Sequence, residues 1–117
     1  MKNFNLIEQG DVRIIGVEVS RATLEFAEEF KNLVADIIKN GNKKIIVDLS
    51  SVQFLDSTFL GSLVVNLKRV ATGGGDLRLV ACGHCEDTVV WSMFEATRMN
   101  KVFRVFEDLN TAVKSFE

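Results

Sequence analysis

Phe54-Leu55-Asp56-Ser57-Thr58-Phe59-Leu60-Gly61 is the stretch on which this chain turns. It follows an apolar run, Ile45-Ile46-Val47-Asp48-Leu49, with the character of a buried strand. It leads into Leu60, Leu63, Val64 and Leu67, whose spacing predicts an amphipathic helix. A carboxylate and two hydroxyls therefore fall where a loop becomes a helix. Helix N-termini carry unpaired N–H groups and partial positive charge, which suits an anion such as phosphate. Asp, Ser and Thr are also ordinary N-cap residues. By spacing alone, capping is the commoner role for such a cluster.

Working outward, Phe4 to Gln9 and Val12 to Val19 read as two strands joined at Gly10-Asp11. Ser20-Arg21-Ala22-Thr23 ends the second strand and opens a helix with Ala27, Phe30, Val34, Ile37 and Ile38 on its inner face. Glu25, Glu28 and Glu29 fall in its early turns, where acids complement the dipole, and Asn40-Gly41-Asn42 stops it. Lys44 to Leu49 is the third strand, and the second helix runs from about Ser57 to Thr72. Gly73-Gly74-Gly75 turns the chain into a fourth strand, Leu77 to Ala81. A third helix covers about Glu86 to Thr97, with Val90, Met93, Phe94 and Thr97 inward. Val102 to Phe106 is a fifth strand. A last helix starts near Asp108, with Leu109, Ala112, Val113 and Phe116 on one face. The order β-β-α-β-α-β-α-β-α predicts an α/β fold: a mixed, mostly parallel central sheet with helices packed on it and an antiparallel edge from the opening hairpin.

The length, 117 residues, suits one compact domain spanning 1–117, and the 47% hydrophobic content supports a real core. Net charge is −2. Arg13, Arg21, Lys43, Lys44, Arg78, Arg98 and Arg104 are interleaved with apolar or acidic neighbours, so no basic stripe points to nucleic acid. Apolar runs stop far short of the ~20 residues that span a bilayer. Met1-Lys2-Asn3-Phe4-Asn5 lacks the apolar core of a signal peptide, so the expected location is the cytoplasm, with no membrane partner. Two cysteines do not make a disulfide scaffold.

Cys82-Gly83-His84-Cys85 has the form of a thiol–disulfide exchange motif. Its context argues otherwise. Thioredoxin-like folds place the motif in their first βα unit and set a cis-proline opposite it. Here three strands and two helices precede the βα unit that holds it, and the chain has no proline. A thiol oxidoreductase is thus a distant alternative, and Cys82 reads as a core residue at a strand end. Two Cys and one His within four residues cannot close around a zinc ion, so no metal is expected. His84, the one histidine, has no serine–base–acid set around it, and no catalytic residue is expected. Gly73-Gly74-Gly75 follows a helix and precedes a strand, the reverse of a phosphate loop, so no nucleotide cofactor is implied. Asp48 reads as a loop-start residue pairing with nearby N–H groups.

The segment Ile45 to Gly61 resembles STAS domains, and among them bacterial anti-anti-sigma factors. Their pattern runs apolar strand, Asp or Asn, Leu, short loop, Phe-Met/Leu-Asp-Ser-Ser/Thr-Gly-Leu-Gly. Gly74-Gly75-Asp76-Leu77-Arg78-Leu79-Val80 is similar to the family's Gly-Gly turn and fourth strand. Trp91-Ser92-Met93-Phe94 through Met99-Asn100-Lys101-Val102-Phe103 is similar to its third helix and fifth strand. The likeness covers nearly the whole chain and implies a binding switch without catalysis of its own. It implies a phosphoacceptor at Ser57, with Thr58 in reserve. It implies a partner that is both anti-sigma factor and serine kinase, of histidine-kinase-like ATPase fold, bound when Ser57 is unmodified and released on phosphorylation. A metal-dependent serine phosphatase would reset the switch.

Two departures from that pattern bear on the partner surface. The family's glycine after Ser-Ser/Thr is Phe59 here. Phe59, Ser62 and Asn66 lie at helical spacing opposite the Leu60, Leu63, Val64, Leu67 stripe, which predicts an exposed Phe59 beside the phosphosite. The Gly-x-Leu-Asp signature after the second strand appears as Ser20-Arg21-Ala22-Thr23, with Thr23 in place of its Asp. The expected partner surface is therefore Asp56, Ser57, Thr58, Phe59, Ser62, Asn66, Arg21 and Thr23. The alternative function is a non-phosphorylated STAS scaffold in another signalling complex, with Phe59 as its apolar anchor.

Overall fold

The computed structural model describes residues 2–81 and 88–117. In chain order the elements are β1 (Phe4–Gln9), β2 (Val12–Val17), β3 (Arg21–Ala22), α1 (Leu24–Lys39), β4 (Lys44–Asp48), β5 (Phe54–Leu55), α2 (Ser57–Thr72), β6 (Asp76–Val80), α3 (Val89–Ala96), β7 (Val105–Phe106) and α4 (Leu109–Lys114). Five strands form one sheet in the order β1-β2-β4-β6-β7. The β1–β2 hairpin is antiparallel and every other pair in that sheet is parallel, as the strand–helix alternation predicts. Gly10 closes the hairpin at φ 60, a left-handed conformation that glycine adopts without steric penalty.

Side chains alternate across the sheet with the strand period of two. Ile15 and Val17, Ile45 and Val47, and Leu77 and Leu79 face one side, where Phe30, Val34 and Ile37 of α1, Phe59, Leu63 and Val70 of α2, and Val90 and Phe94 of α3 cover them. Val12, Ile14, Ile46 and Val80 face the other side, under Ala112 and Val113 of α4. Central β4 is covered on both faces, which is why its sequence is an unbroken apolar run. Arg78 of β6 fastens α4. Its guanidinium lies 3.9 Å over the Phe116 ring, and it donates to the Ser115 carbonyl at 2.7 Å and to Asp76 at 2.8 Å. Asp108 caps α4, accepting from the Thr111 N–H at 2.8 Å. That bond, with a second from the Thr111 hydroxyl, holds the Asp108 carboxyl below its ordinary value.

Several boundaries differ from expectation by one residue, as where β6 runs Asp76–Val80 rather than Leu77–Ala81, and three differ by more. The second strand ends at Val17 rather than Val19, and the chain then turns into β3, which pairs in parallel with β5 as a separate two-stranded ribbon. The expected fifth strand contracts to Val105–Phe106, because Met99–Lys101 form a 3-10 turn entered through Arg98 at φ 59. The third helix starts at Val89, with Thr88 accepting from the Trp91 N–H at 3.2 Å, while Glu86 lies outside the described residues.

The glycine turn after α2 is shaped by close approach. A Cβ on Gly75 would overlap the Lys43 carbonyl, the same group that accepts from the Asp76 N–H at 2.9 Å to start the β4–β6 ladder. Gly75→Ala is expected to lower stability by about 1–3 kcal/mol, because the clash is with backbone that cannot swing aside. Gly73→Ala should lie well below that, since its Cβ would meet only ordinary contact at 3.6 Å. Paired urea denaturation curves check the contrast.

Candidate functional site

The β3–β5 ribbon builds the site by drawing the approaches to α1 and α2 together. Ser20 offers its carbonyl to the Gln53 and Phe54 N–H groups at 2.8 and 3.1 Å, and Ala22 offers its own to Asp56 at 3.1 Å. Asp56 then stands at the head of α2 with extended backbone, φ −91 and ψ 171. Its Oδ1 accepts from the Phe59 N–H at 2.8 Å, an N-cap bond. Its Oδ2 accepts from the N–H of Leu24, the first residue of α1, also at 2.8 Å. One carboxylate thus caps two helices. Thr23, which precedes α1, makes no side-chain cap bond of its own; the Phe26 N–H bonds its backbone carbonyl at 2.9 Å, and Asp56 takes the Leu24 N–H from across the ribbon.

Ser57 and Thr58 follow as the first two residues of α2, and both are exposed. Arg21 is exposed and lies with its guanidinium 4.4 Å over the Phe54 ring, while Thr23 is half-buried. The site therefore joins Arg21, Thr23, Asp56, Ser57 and Thr58 at one end of the molecule.

Phe59 corrects the expectation. Its side chain is 0% exposed, with its ring 5.4 Å from that of Phe30, which in turn lies 5.9 Å from Phe4. Asn66 is 1% exposed and turned inward; its amide donates to the Ser62 carbonyl at 2.7 Å, and its Oδ1 accepts from Arg69 at 3.3 Å. Ser62 is half-buried. The reason is packing on two surfaces at once. α2 lies against both α1 and β6. Its buried arc is centred on Phe59, Leu63, Asn66 and Val70, with Leu60 at the margin and Val64 and Leu67 only partly covered. Phe59 and Asn66 are core residues, not surface ones.

The outward arc of α2 holds Ser57, Thr58, Gly61, Val65, Lys68 and Arg69. Val65 is 56% exposed, and Leu24, held to Asp56 through its N–H, is 66% exposed. Sequence reasoning passed over Gly61, Val65 and Leu24. The spacing of Ser57, Gly61 and Val65, four apart, was the available signal.

The remaining candidates take structural places or lie elsewhere. Asp48 accepts from the Ser50 N–H at 3.0 Å, the local turn expected of it. Cys82, His84 and Cys85 lie outside the described residues. Among the described residues, no three His, Cys, Asp or Glu side chains are placed to hold a metal ion, and no helix is long and apolar enough to cross a membrane.

The family model of the STAS domain matches residues 6–112. This chain belongs to the STAS domain family. Among relatives of this STAS protein is a candidate anti-sigma factor antagonist of Thermotoga neapolitana, 28% identical over 95 residues that make up 80% of each chain. The crystal structure of a candidate anti-sigma factor antagonist from Thermotoga maritima superposes with a TM-score of 0.80 at 26% identity, covering 96% of this chain and 92% of that one. The Bacillus cell fate determinant SpoIIAA in its phosphorylated form superposes with a TM-score of 0.71 over 97% of this chain and 99% of its own; at 14% identity that likeness speaks for the fold alone.

Proposed function

We propose that this STAS domain is an anti-sigma factor antagonist switched by phosphorylation at Ser57. It acts in the cytoplasm as a single binding unit without catalysis of its own. Its partner is an anti-sigma factor that is also its serine kinase, of histidine-kinase-like ATPase fold. A metal-dependent serine phosphatase reverses the modification. The observation that carries this proposal is the division of labour at the head of α2. Asp56 is engaged in two helix caps, while Ser57 beside it is exposed. A phosphoryl group on Ser57 adds roughly −1.5 to −2 charges at neutral pH, and a helix N-terminus accommodates that charge. Binding is then opposed by repulsion and desolvation at the docking surface, with no refolding of the domain. The scaffold alternative loses the apolar anchor expected for it, because Phe59 is in the core.

The test is incubation with the anti-sigma kinase of the same organism and ATP, followed by intact-mass measurement and peptide mapping. One phosphoryl group at Ser57 is expected, with none on Ser57→Ala. Modification confined to Thr58 or another residue would overturn the assignment, and no modification at all would overturn the switch.

A further inference from the structure

Gly61 has no structural reason to be glycine. It lies inside α2 with ordinary helical backbone, and nothing stands within 4 Å of where its Cβ would be. Glycine is among the least favourable residues in a helix interior, so the fold alone disfavours it there. What glycine provides is a flat spot where another chain can come close to the helix. Ser57, Gly61 and Val65 recur every four residues and Lys68 follows three later, so all four share one outward stripe. Two exposed apolar or bare positions, Gly61 and Val65, thus lie between the phosphoacceptor and a cation.

Charge says what fits the stripe. α2 carries no acidic residue, and Lys68 and Arg69 lie exposed towards its C-terminal end. Neighbouring α1 presents the opposite sign, with Glu25 and Glu28 exposed in its first turns. We propose that the outward stripe of α2 (Ser57, Gly61, Val65 and Lys68) is the docking track for an acidic-rimmed, apolar-centred surface of the anti-sigma partner, with Gly61 at the point of closest approach. This rests on the proposed function and specifies the chemistry of its partner. An acidic surface is drawn to α2 and repelled from α1. Phosphorylation of Ser57 then places negative charge at the head of the same stripe, reversing its sign where the partner begins.

The experiment titrates the anti-sigma kinase of the same organism against the full chain and four variants, with melting temperature measured on each. Gly61→Gln should bind more than tenfold more weakly while melting a few degrees higher, a pairing that a folding defect does not produce. Lys68→Glu should weaken binding several-fold, and wild-type affinity should fall with rising salt. Glu28→Lys should bind at least as tightly as wild type. Wild-type affinity for Gly61→Gln, or unchanged or tighter binding by Lys68→Glu, overturns the track. Ser57→Ala separates the two levels: if it binds and those variants bind equally well, the function stands and the track falls. If neither it nor wild type binds, both fall.

Discussion

Phe59→Ala is expected to lower folding stability by about 3–5 kcal/mol, the range for truncating a fully buried aromatic ring. The ring is 0% exposed and completes a row with Phe30 and Phe4 beneath α1, at centroid distances of 5.4 and 5.9 Å. Removal leaves a void where the start of α2 meets α1, and the Asp56 caps on either side restrain collapse into it. Phe59→Leu keeps most of the volume and should lose markedly less. Urea denaturation with unchanged m-values measures both. A loss under about 1 kcal/mol for Phe59→Ala would mean the ring does not carry the packing assigned to it.

Asp56→Ala is expected to lower stability by about 1–3 kcal/mol, because it removes caps from two helices at once and each is worth roughly 0.5–2 kcal/mol. Asp56→Asn should fall between wild type and Asp56→Ala, since one amide oxygen can serve Phe59 while the NH2 group cannot accept from Leu24. Leu24→Pro isolates the second bond. Proline suits the first position of a helix, and Thr23 before it already has extended backbone, φ −126 and ψ 179. In that background the Leu24 N–H is gone, so Asp56→Ala should lose less than in wild type. A double-mutant cycle should return a coupling of about 0.5 kcal/mol or more, and strict additivity would show that the bond across the ribbon contributes nothing.

The parts legible in the sequence are those with strong periodicity. β1, β4 and the whole of α2, Ser57–Thr72, lie where their apolar patterns put them. The β3–β5 ribbon was hidden because two residues carry no period, and only the bonds from Ser20 and Ala22 make them strands. The second role of Asp56 was hidden for a related reason: its partner Leu24 is 32 residues away, and no local pattern reports that contact. Phe59 was misplaced because a single stripe was assumed for α2. A helix packed on both a sheet and another helix buries a wider arc, and the polar Asn66 within that arc disguised it. Ser57 is proposed as phosphoacceptor from the family pattern alone, and the structure adds only that it is exposed.

The central claim is that the modification at Ser57 alone turns binding off. The most direct measurement is calorimetry of the anti-sigma kinase against the unphosphorylated chain and against the same chain phosphorylated at Ser57, with melting temperatures recorded for both forms. The account predicts an affinity lower by more than about a hundredfold for the phosphorylated form, equivalent to about 2.7 kcal/mol, with melting temperatures within a few degrees of each other. Equal affinities for the two folded forms would contradict it.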